Sequence, residues 1–516
     1  MNGKLAAGNL TTANVATSVY RCRTTGAAFI SVSICNRSAE TAEITLGVSD
    51  SANSSDVASI IEYKTELLPK NVLERTGVVV SSTQYLTVTS SVANVSVVAT
   101  GVETGTFDDS IPEIAIVYFE SLTSPLTLDD ENVYGTGAGD QFGRSVAVSS
   151  GNVIIGAFGE DAATGTGTGA AYIINTGGTL VHTLTNPGGA ADDGFGLSVD
   201  ISSNTAVVGA YGHNTYAGRA FIYNVSSGAL EHTISPPTSA NSLSFGETVR
   251  TDGVNAIISS PGEGSNGGAS GTAQEGKAHI FNVSTGSLVH TLDHPNSSGG
   301  DSAYDQFSND AVDISGGYAI VGAYNETPVG GKAYIFNVSS GALVHTLDNP
   351  NADGAATTDR FGSAVAIDGD YAVVGNHTEY YSSGSTGAGV VYIYNVTTGA
   401  LLHTVASPIK DDVDGDYGNF GKVVDVSGYY AVIGSEGYSV PSSSNGRAYV
   451  VDVRTGTVVQ TIENPNAYGV GIQDKFGSAV AIDNRTLVIG AYQEDEAGSE
   501  VAYSTDNSGK AYVYQG

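Results

Sequence analysis

Apolar residues come in short runs, four to a block, and the block recurs along most of the chain. FGSAVAI (361–367) typifies the first run, TLVIGA (486–491) the second, AYIFNV (333–338) the third and ALVHTL (342–347) the fourth. Each run is too short for a helix and is bounded by Gly, Ser, Asn or Asp, which reads as strand and turn. The first three runs are almost continuously apolar, as strands covered on both faces are. The fourth mixes in polar residues, as an outer edge strand does to discourage pairing with other chains. No amphipathic helix is legible.

Seven Phe residues anchor the blocks: Phe142, Phe195, Phe245, Phe307, Phe361, Phe420 and Phe476, each followed by Gly except in the fourth copy, where Ser308 takes its place. Four strands repeated seven times predict an all-β, seven-bladed β-propeller over residues 124–516. The last copy ends at GKAYVYQG (509–516) without a fourth run, whereas SPLTLDDENVYGTGAGDQFG leads into the first anchor as a fourth strand would. Residues 124–129 are therefore expected to complete the seventh blade and close the ring. Residues 1–104 lack the repeat and carry alternating runs such as AFISVSIC, AEITLGVS and QYLTVTSS, which predict an antiparallel β-sandwich. Residues 105–123 form a connector with one strand-like stretch, IPEIAIVYFE.

Charge narrows the function. Twenty Lys and Arg against 53 Asp and Glu give a net charge of −33, which argues against a phosphate-binding surface and hence against nucleic acid as a partner. No apolar stretch approaches the ~20 residues of a membrane helix, and MNGKLAAGNLTTANVATSVYRC has no secretory core. Synthesis in a cytoplasm, without membrane insertion, is the expectation. The two cysteines, Cys22 and Cys35, are expected as buried thiols: a hairpin turning at TTGA (24–27) would set Cys22 opposite position 29.

Phe-Gly followed by Gly-Ala and an aromatic, as in Gly209-Ala210-Tyr211, Gly322-Ala323-Tyr324 and Gly490-Ala491-Tyr492, resembles the FG-GAP repeats of integrin-α-type propellers. Calcium-binding members of that family carry an acidic loop between first and second strands. Here that connection is a tight turn (SSGN at 149–152, DGD at 368–370, DNR at 483–485), so those sites do not carry over. The N-terminal module, with ICNRSAETAEITLGVSD and EYKTELLPKNVLERTGVVV, looks like modules of structural proteins from marine tailed bacteriophages. That resemblance implies a virion location, attachment to other virion proteins through residues 1–104, and an oligomeric state in the particle.

Among candidate sites, KDDVDGDYGN (410–419) places Asp412, Asp414 and Asp416 at alternating positions, a weak calcium candidate because the bidentate final acid is absent. No other cofactor is expected. His182, His232, His290, His345 and His403 each fall on the fourth strand of a different copy, so they encircle the disc and cannot converge on one metal ion. Asp140, Asp193, Asp305, Asp359 and Asp474 stand two residues before an anchor Phe and read as backbone caps of the incoming loop. Asn224, Asn282, Asn337 and Asn395 sit in N-V-[ST] sequons and read as turn residues. No catalytic motif is present. Loops from second to third and from fourth to first strands are long and unequal, and they share one face with Tyr211, Tyr324, Tyr380, Tyr381 and Tyr492. That face is expected to meet a host surface glycan or protein. The reading is a non-enzymatic virion structural protein. A glycan-active propeller enzyme is the alternative and needs two or three acids converging at the channel mouth; a secreted bacterial adhesin is a third.

Overall fold

The computed structural model describes residues 2–10, 17–21, 27–36, 38, 40–49, 59–81, 85–91, 95–103, 122, 124–129, 139–161, 167–264, 275–296, 305–326, 330–351, 359–379, 388–408, 418–437, 446–465, 474–494 and 508–515. The chain divides into two compact units, Met1–Ser121 and Leu122–Gly516. Among the described residues it is nearly all β, with one helical turn at His213–Tyr216.

The first unit holds eight strands: β1 (Asn2–Leu10), β2 (Thr17–Arg21), β3 (Ala27–Asn36), β4 (Ala42–Ser49), β5 (Ser59–Leu67), β6 (Val72–Ser81), β7 (Tyr85–Ser90) and β8 (Val95–Glu103). They form two four-stranded antiparallel sheets, β1-β8-β3-β6 and β2-β7-β4-β5. One core joins both: Val32, Ile34, Val80 and Val97 from the first sheet meet Ile44, Leu46, Leu86 and Val88 from the second. Burial at Ala42, Ile44, Leu46 and Val48, every other residue of β4, supplies one side of this shared apolar face. The sequence reading needs three corrections here. Strands β1 and β2 lie in segments with no clear apolar alternation and were not anticipated. Strands β2 and β3 belong to different sheets, so TTGA does not turn a hairpin and the register inferred for Cys22 falls away. Cys35 is a free, half-buried thiol; Cys22 lies outside the described residues, as does most of the connector at 105–123.

The second unit contains seven four-stranded antiparallel sheets among its described residues, one for each anchor Phe. Six are consecutive in sequence. The seventh pairs Phe476–Asp483, Thr486–Ala491 and Lys510–Gln515 with β9 (Leu126–Asp129), whose register is Lys510↔Asp129, Ala511↔Leu128, Tyr512↔Thr127 and Val513↔Leu126. First strands of successive sheets pack side by side, and that of the seventh packs against that of the first. This is a propeller-like arrangement in which apolar layers lie between neighbouring sheets. The layer between seventh and first sheets, for instance, combines Leu128, Val488 and Val513 with Phe142, Ile155 and Tyr172. All seven anchor Phe residues are fully buried, and Phe361 meets Tyr392 edge-on with ring centroids 5.5 Å apart, a favourable aromatic geometry.

Candidate functional site

Glycine decides how closely the sheets approach. At Gly362 φ is +88° and a Cβ would sit 2.2 Å from the Lys332 carbonyl oxygen of the preceding sheet; a Cβ on Gly322 would be 1.9 Å from the Gly362 oxygen, and one on Gly331 2.1 Å from the Phe361 oxygen. Three glycines thus let the backbone of one sheet close around the Phe-Gly peptide of the next. The seam between third and fourth sheets is different. Ser259 stands where other copies have Gly, and Ser308 replaces the Gly after Phe307. Ser308 holds φ at +66°, and its Oγ donates to the Lys277 carbonyl at 2.6 Å, turning the clash a bare Cβ would make into a hydrogen bond. The first strand of the fourth sheet also carries an extra residue between Phe307 and Val312, with Asp310 at φ +56°. Such a bulge re-aims a side chain.

The first strands of all seven sheets line one cavity of 340 Å³ on the side of the tight turns. Asp200, Asp313 and Asp425 project into it from the second, fourth and sixth sheets, with Arg250 from the third, while Ala147 and Ala481 hold equivalent positions on the first and seventh. Each carboxylate reaches the following sheet. Asp200 Oδ2 accepts from Thr251 N at 2.5 Å, Asp313 Oδ2 from Ile367 N at 2.7 Å and Asp425 Oδ2 from Ile482 N at 2.7 Å. One turn further out, Ser203 N donates to Ser149 Oγ, Gly428 N to Asp368 Oδ2, and Ser150 N to Asp483 Oδ2, the last joining seventh sheet to first.

Burial raises the Asp200 carboxyl to about 6, opposed by Arg250 and backbone N–H donors. Burial raises Asp425 to about 7, and lifts Asp313 well above its ordinary range, where Asp425 and Asp200 add to the effect. A carboxyl that releases its proton near 3.8 when unfolded and near 7 when folded binds that proton more tightly in the folded state. Stability from this group is therefore greatest below about pH 4 and is lost as pH rises through about 7. Denaturant midpoints should fall between pH 5 and pH 8, and Asp425→Asn should flatten that slope. A variant with an unchanged pH slope would rule this out.

At the opposite, N-terminal ends of the same strands lies a second polar group. Glu247, two residues before the first strand of the third sheet (Val249–Thr251), is half-buried, and burial with the Asp310 charge raises its carboxyl to about 8. Asp310 lies on the first strand of the fourth sheet, and burial raises its pKa against the opposing charges of Arg144, Lys422 and Arg250. Tyr211, Tyr324 and Tyr492 are all half-buried. Arg144 stacks over Tyr492 with its guanidinium carbon 5.0 Å from the ring centroid, and Arg360 over Tyr324 at 5.6 Å. Lys422 pairs with Glu436. Tyr380, Tyr381, Asp412, Asp414 and Asp416 lie outside the described residues, as do the outer parts of most long loops.

The repeated polar positions hold sheets and loops in place. Of the aspartates before the anchors, Asp193 Oδ2 accepts from Asn186 Nδ2 at 2.9 Å and Ala190 N at 3.0 Å, Asp359 from Asn349 Nδ2 at 3.1 Å and Asp474 from Asn464 Nδ2 at 2.8 Å. A second acidic column, four residues after the Gly (Ser259 in the third copy) of the second strand in five of the seven copies, was not singled out from sequence although its spacing is regular. In it Glu160, Glu379 and Glu494 accept from the third-strand hydroxyls of Tyr172, Tyr392 and Tyr512 at 2.9, 2.6 and 2.5 Å, and Glu263 meets His279 at 2.9 Å. Glu326 takes hydrogen bonds from His294, Tyr334 and Asn296, which outweigh its burial and bring it to about 2. On the perimeter, His182, His232, His290, His345 and His403 each direct Nε2 to a turn carbonyl of the next sheet, from 3.3 Å to Ser226 O down to 2.8 Å to Arg454 O. Leu126 of β9 takes the corresponding place against Gly178. Asn337 Oδ1 accepts from Ser339 Oγ, Ser340 N and Ser340 Oγ, closing the turn between third and fourth strands. Among the described residues no group of three or more His, Cys, Asp or Glu is arranged to hold a metal ion.

The FG-GAP repeat model matches residues 134–174, 179–223, 351–394 and 467–514, segments that include the anchors Phe142, Phe195, Phe361 and Phe476. The chain therefore carries FG-GAP repeats, and the third, fourth and sixth copies lie outside these segments. No curated protein matches the chain.

Proposed function

We propose that the chain is a non-enzymatic structural and recognition protein: an N-terminal β-sandwich followed by a seven-bladed β-propeller that β9 closes, serving in the virion of a tailed bacteriophage. The observation that carries the structural role is the fate of the converging carboxylates. Asp200, Asp313 and Asp425 each accept a backbone N–H of the next sheet, so they tie sheets together where an enzyme of this shape would keep its acids for substrate. The virion setting rests on the resemblance of residues 1–104 to phage structural modules. In this reading those residues attach to other virion proteins, the chain is oligomeric in the particle, and the long-loop side meets a host glycan or protein. An antibody raised against the intact chain should label tailed particles at a fixed place in immunogold images, and its failure to label any particle would overturn the setting.

A second reading is favoured by one observation, the carboxyls of Glu247 and Asp310, which burial raises above the ordinary carboxylate range, the Asp310 charge adding to the effect at Glu247. Two carboxyl groups flanking a glycosidic bond can hydrolyse it, one as acid and the other as base or nucleophile. A glycan-hydrolysis screen comparing the protein with Glu247→Gln separates the readings, since loss of a measured turnover in the variant would establish the enzyme.

A further inference from the structure

Four sheets carry an ion pair between the first residue of the third strand and the residue opposite it on the fourth. Lys277 meets Asp293 at 2.6 Å, Lys332 meets Asp348 at 3.5 Å, Arg447 meets Glu463 at 2.7 Å and Lys510 meets Asp129 at 2.8 Å. In the fourth sheet the same ammonium also lies 3.2 Å from Glu326 of the second acidic column. The first sheet keeps the acid of that column, Glu160, but its paired positions are Ala170 and Thr185. A methyl group thus stands where those four sheets place a long cationic side chain. A cavity of 160 Å³ opens beside it, with Glu160, Asp161, Ala170, Thr183, Thr185 and Asn186 in its wall.

Oxygen atoms dominate what this cavity offers. Asp161 Oδ1 accepts from Gly167 N at 2.7 Å, which fixes the carboxylate and leaves Oδ2 without a partner among the described residues. Asn186 Nδ2 donates to Asp193 Oδ2 at 2.9 Å; a carboxylate only accepts, so the amide cannot be turned round. Gly189 makes room for that amide, since a Cβ there would lie 2.4 Å from Asn186 Cγ. Asn186 Oδ1 is shut off from bulk water and takes no hydrogen bond from the described residues. The equivalent oxygen after the fourth sheet, Asn349 Oδ1, accepts from Asn351 N at 3.1 Å. A buried acceptor without a donor is costly, and beside two carboxylates the partner that suits it is a cation.

We infer that this cavity binds one hard divalent cation of calcium's size, held by Asp161 and Asn186 with oxygens of Glu160, Thr183 and Thr185 around it. The ion would do beside Glu160 what Lys332 Nζ does beside Glu326. Calcium takes about six to eight oxygens and accepts amide, hydroxyl and water oxygens beside carboxylates, whereas magnesium demands a tight octahedron. Two carboxylates match its charge. The ligands come from the second-to-third connection, the fourth strand and the connection that follows it, not from the tight turn between first and second strands.

This site depends on neither the virion setting nor the glycan reading, so it stands or falls by itself. The intact chain, freed of metal with EGTA, would be titrated with Ca²⁺ and with Mg²⁺ by calorimetry. Salt at about 0.15 M screens diffuse binding to the acidic surface. A single Ca²⁺ should bind, and more tightly than Mg²⁺. Asp161→Asn should weaken it at least about tenfold; it keeps the side chain's size and can still accept from Gly167 N. Ala170→Lys with Thr185→Asp copies the pair at Lys332 and Asp348. It should abolish Ca²⁺ binding while the chain melts no lower in EGTA than the parent. Asp412→Asn with Asp414→Asn, in the acidic stretch before Phe420, should leave the titration unchanged. Loss of binding in that last variant would move the ion to the other loop and overturn the inference. So would the absence of saturable Ca²⁺ binding, a preference for Mg²⁺, or unchanged affinity in Asp161→Asn.

Discussion

Gly362→Ala should destabilise the second unit by about 3–5 kcal/mol, enough to abolish a folded population in many domains. The residue sits at φ +88°, and the new Cβ would lie 2.2 Å from the Lys332 carbonyl oxygen. A backbone oxygen has no rotamer to escape into, so the seam between fourth and fifth sheets must open. That movement would also disturb Gly322, whose own approach to the Gly362 oxygen depends on the same closeness. Gly316→Ala is the matched control: it too has positive φ, +58°, but no atom lies within 4 Å of its Cβ position. It should cost about 1 kcal/mol, the conformational term alone. Urea unfolding of both variants checks the pair, and similar midpoints would show that close sheet packing is not what the glycines provide.

Loss of β9 should be as damaging. A fragment beginning at Asp130 leaves the strand Lys510–Gln515 without its partner, removes the ion pair of Lys510 Nζ with Asp129 Oδ2 at 2.8 Å, and takes Leu128 out of the layer between seventh and first sheets. An open apolar edge invites pairing with other chains. The expected result is aggregation, or a broad transition in place of a cooperative one, whereas a fragment beginning at Leu122 should stay soluble and melt sharply. Size-exclusion chromatography and thermal melts decide it, and equal behaviour of the two fragments would refute the closing role.

Much of this architecture is legible because the repeat writes the same requirement several times. Phe361 and Gly362 mean little alone, but six such pairs and a seventh with Ser308 in place of Gly identify a buried anchor and a backbone contact. The third run of the last copy, Lys510–Gln515, and the run at Leu126–Asp129 pair with each other, as the passage from Leu126 into the first anchor suggests. The first unit offers no such redundancy. Strands β1 and β2 carry little apolar alternation, and tertiary pairing placed them; β1, NGKLAAGNL, pairs along its length with β8. Residues near TTGA looked like a hairpin because local turn chemistry was the only signal available there.

The sequence by itself determined the strand count of each repeat, the role of its glycines and the return of β9, because period, turn residues and apolar runs are local properties that repetition amplifies. Only the tertiary structure decided which polar residues meet. Asp200, Asp313 and Asp425 occupy a column that Ala147 and Ala481 share, so the column looks unremarkable until seven first strands are brought around one cavity. Ser150 and Asp483 are 333 positions apart in the chain, and the Ser150 N–H donates to the Asp483 carboxylate where the seventh sheet meets the first. Side-chain convergence depends on how sheets are placed around one another, and that placement is set by contacts between distant segments, which no local pattern records.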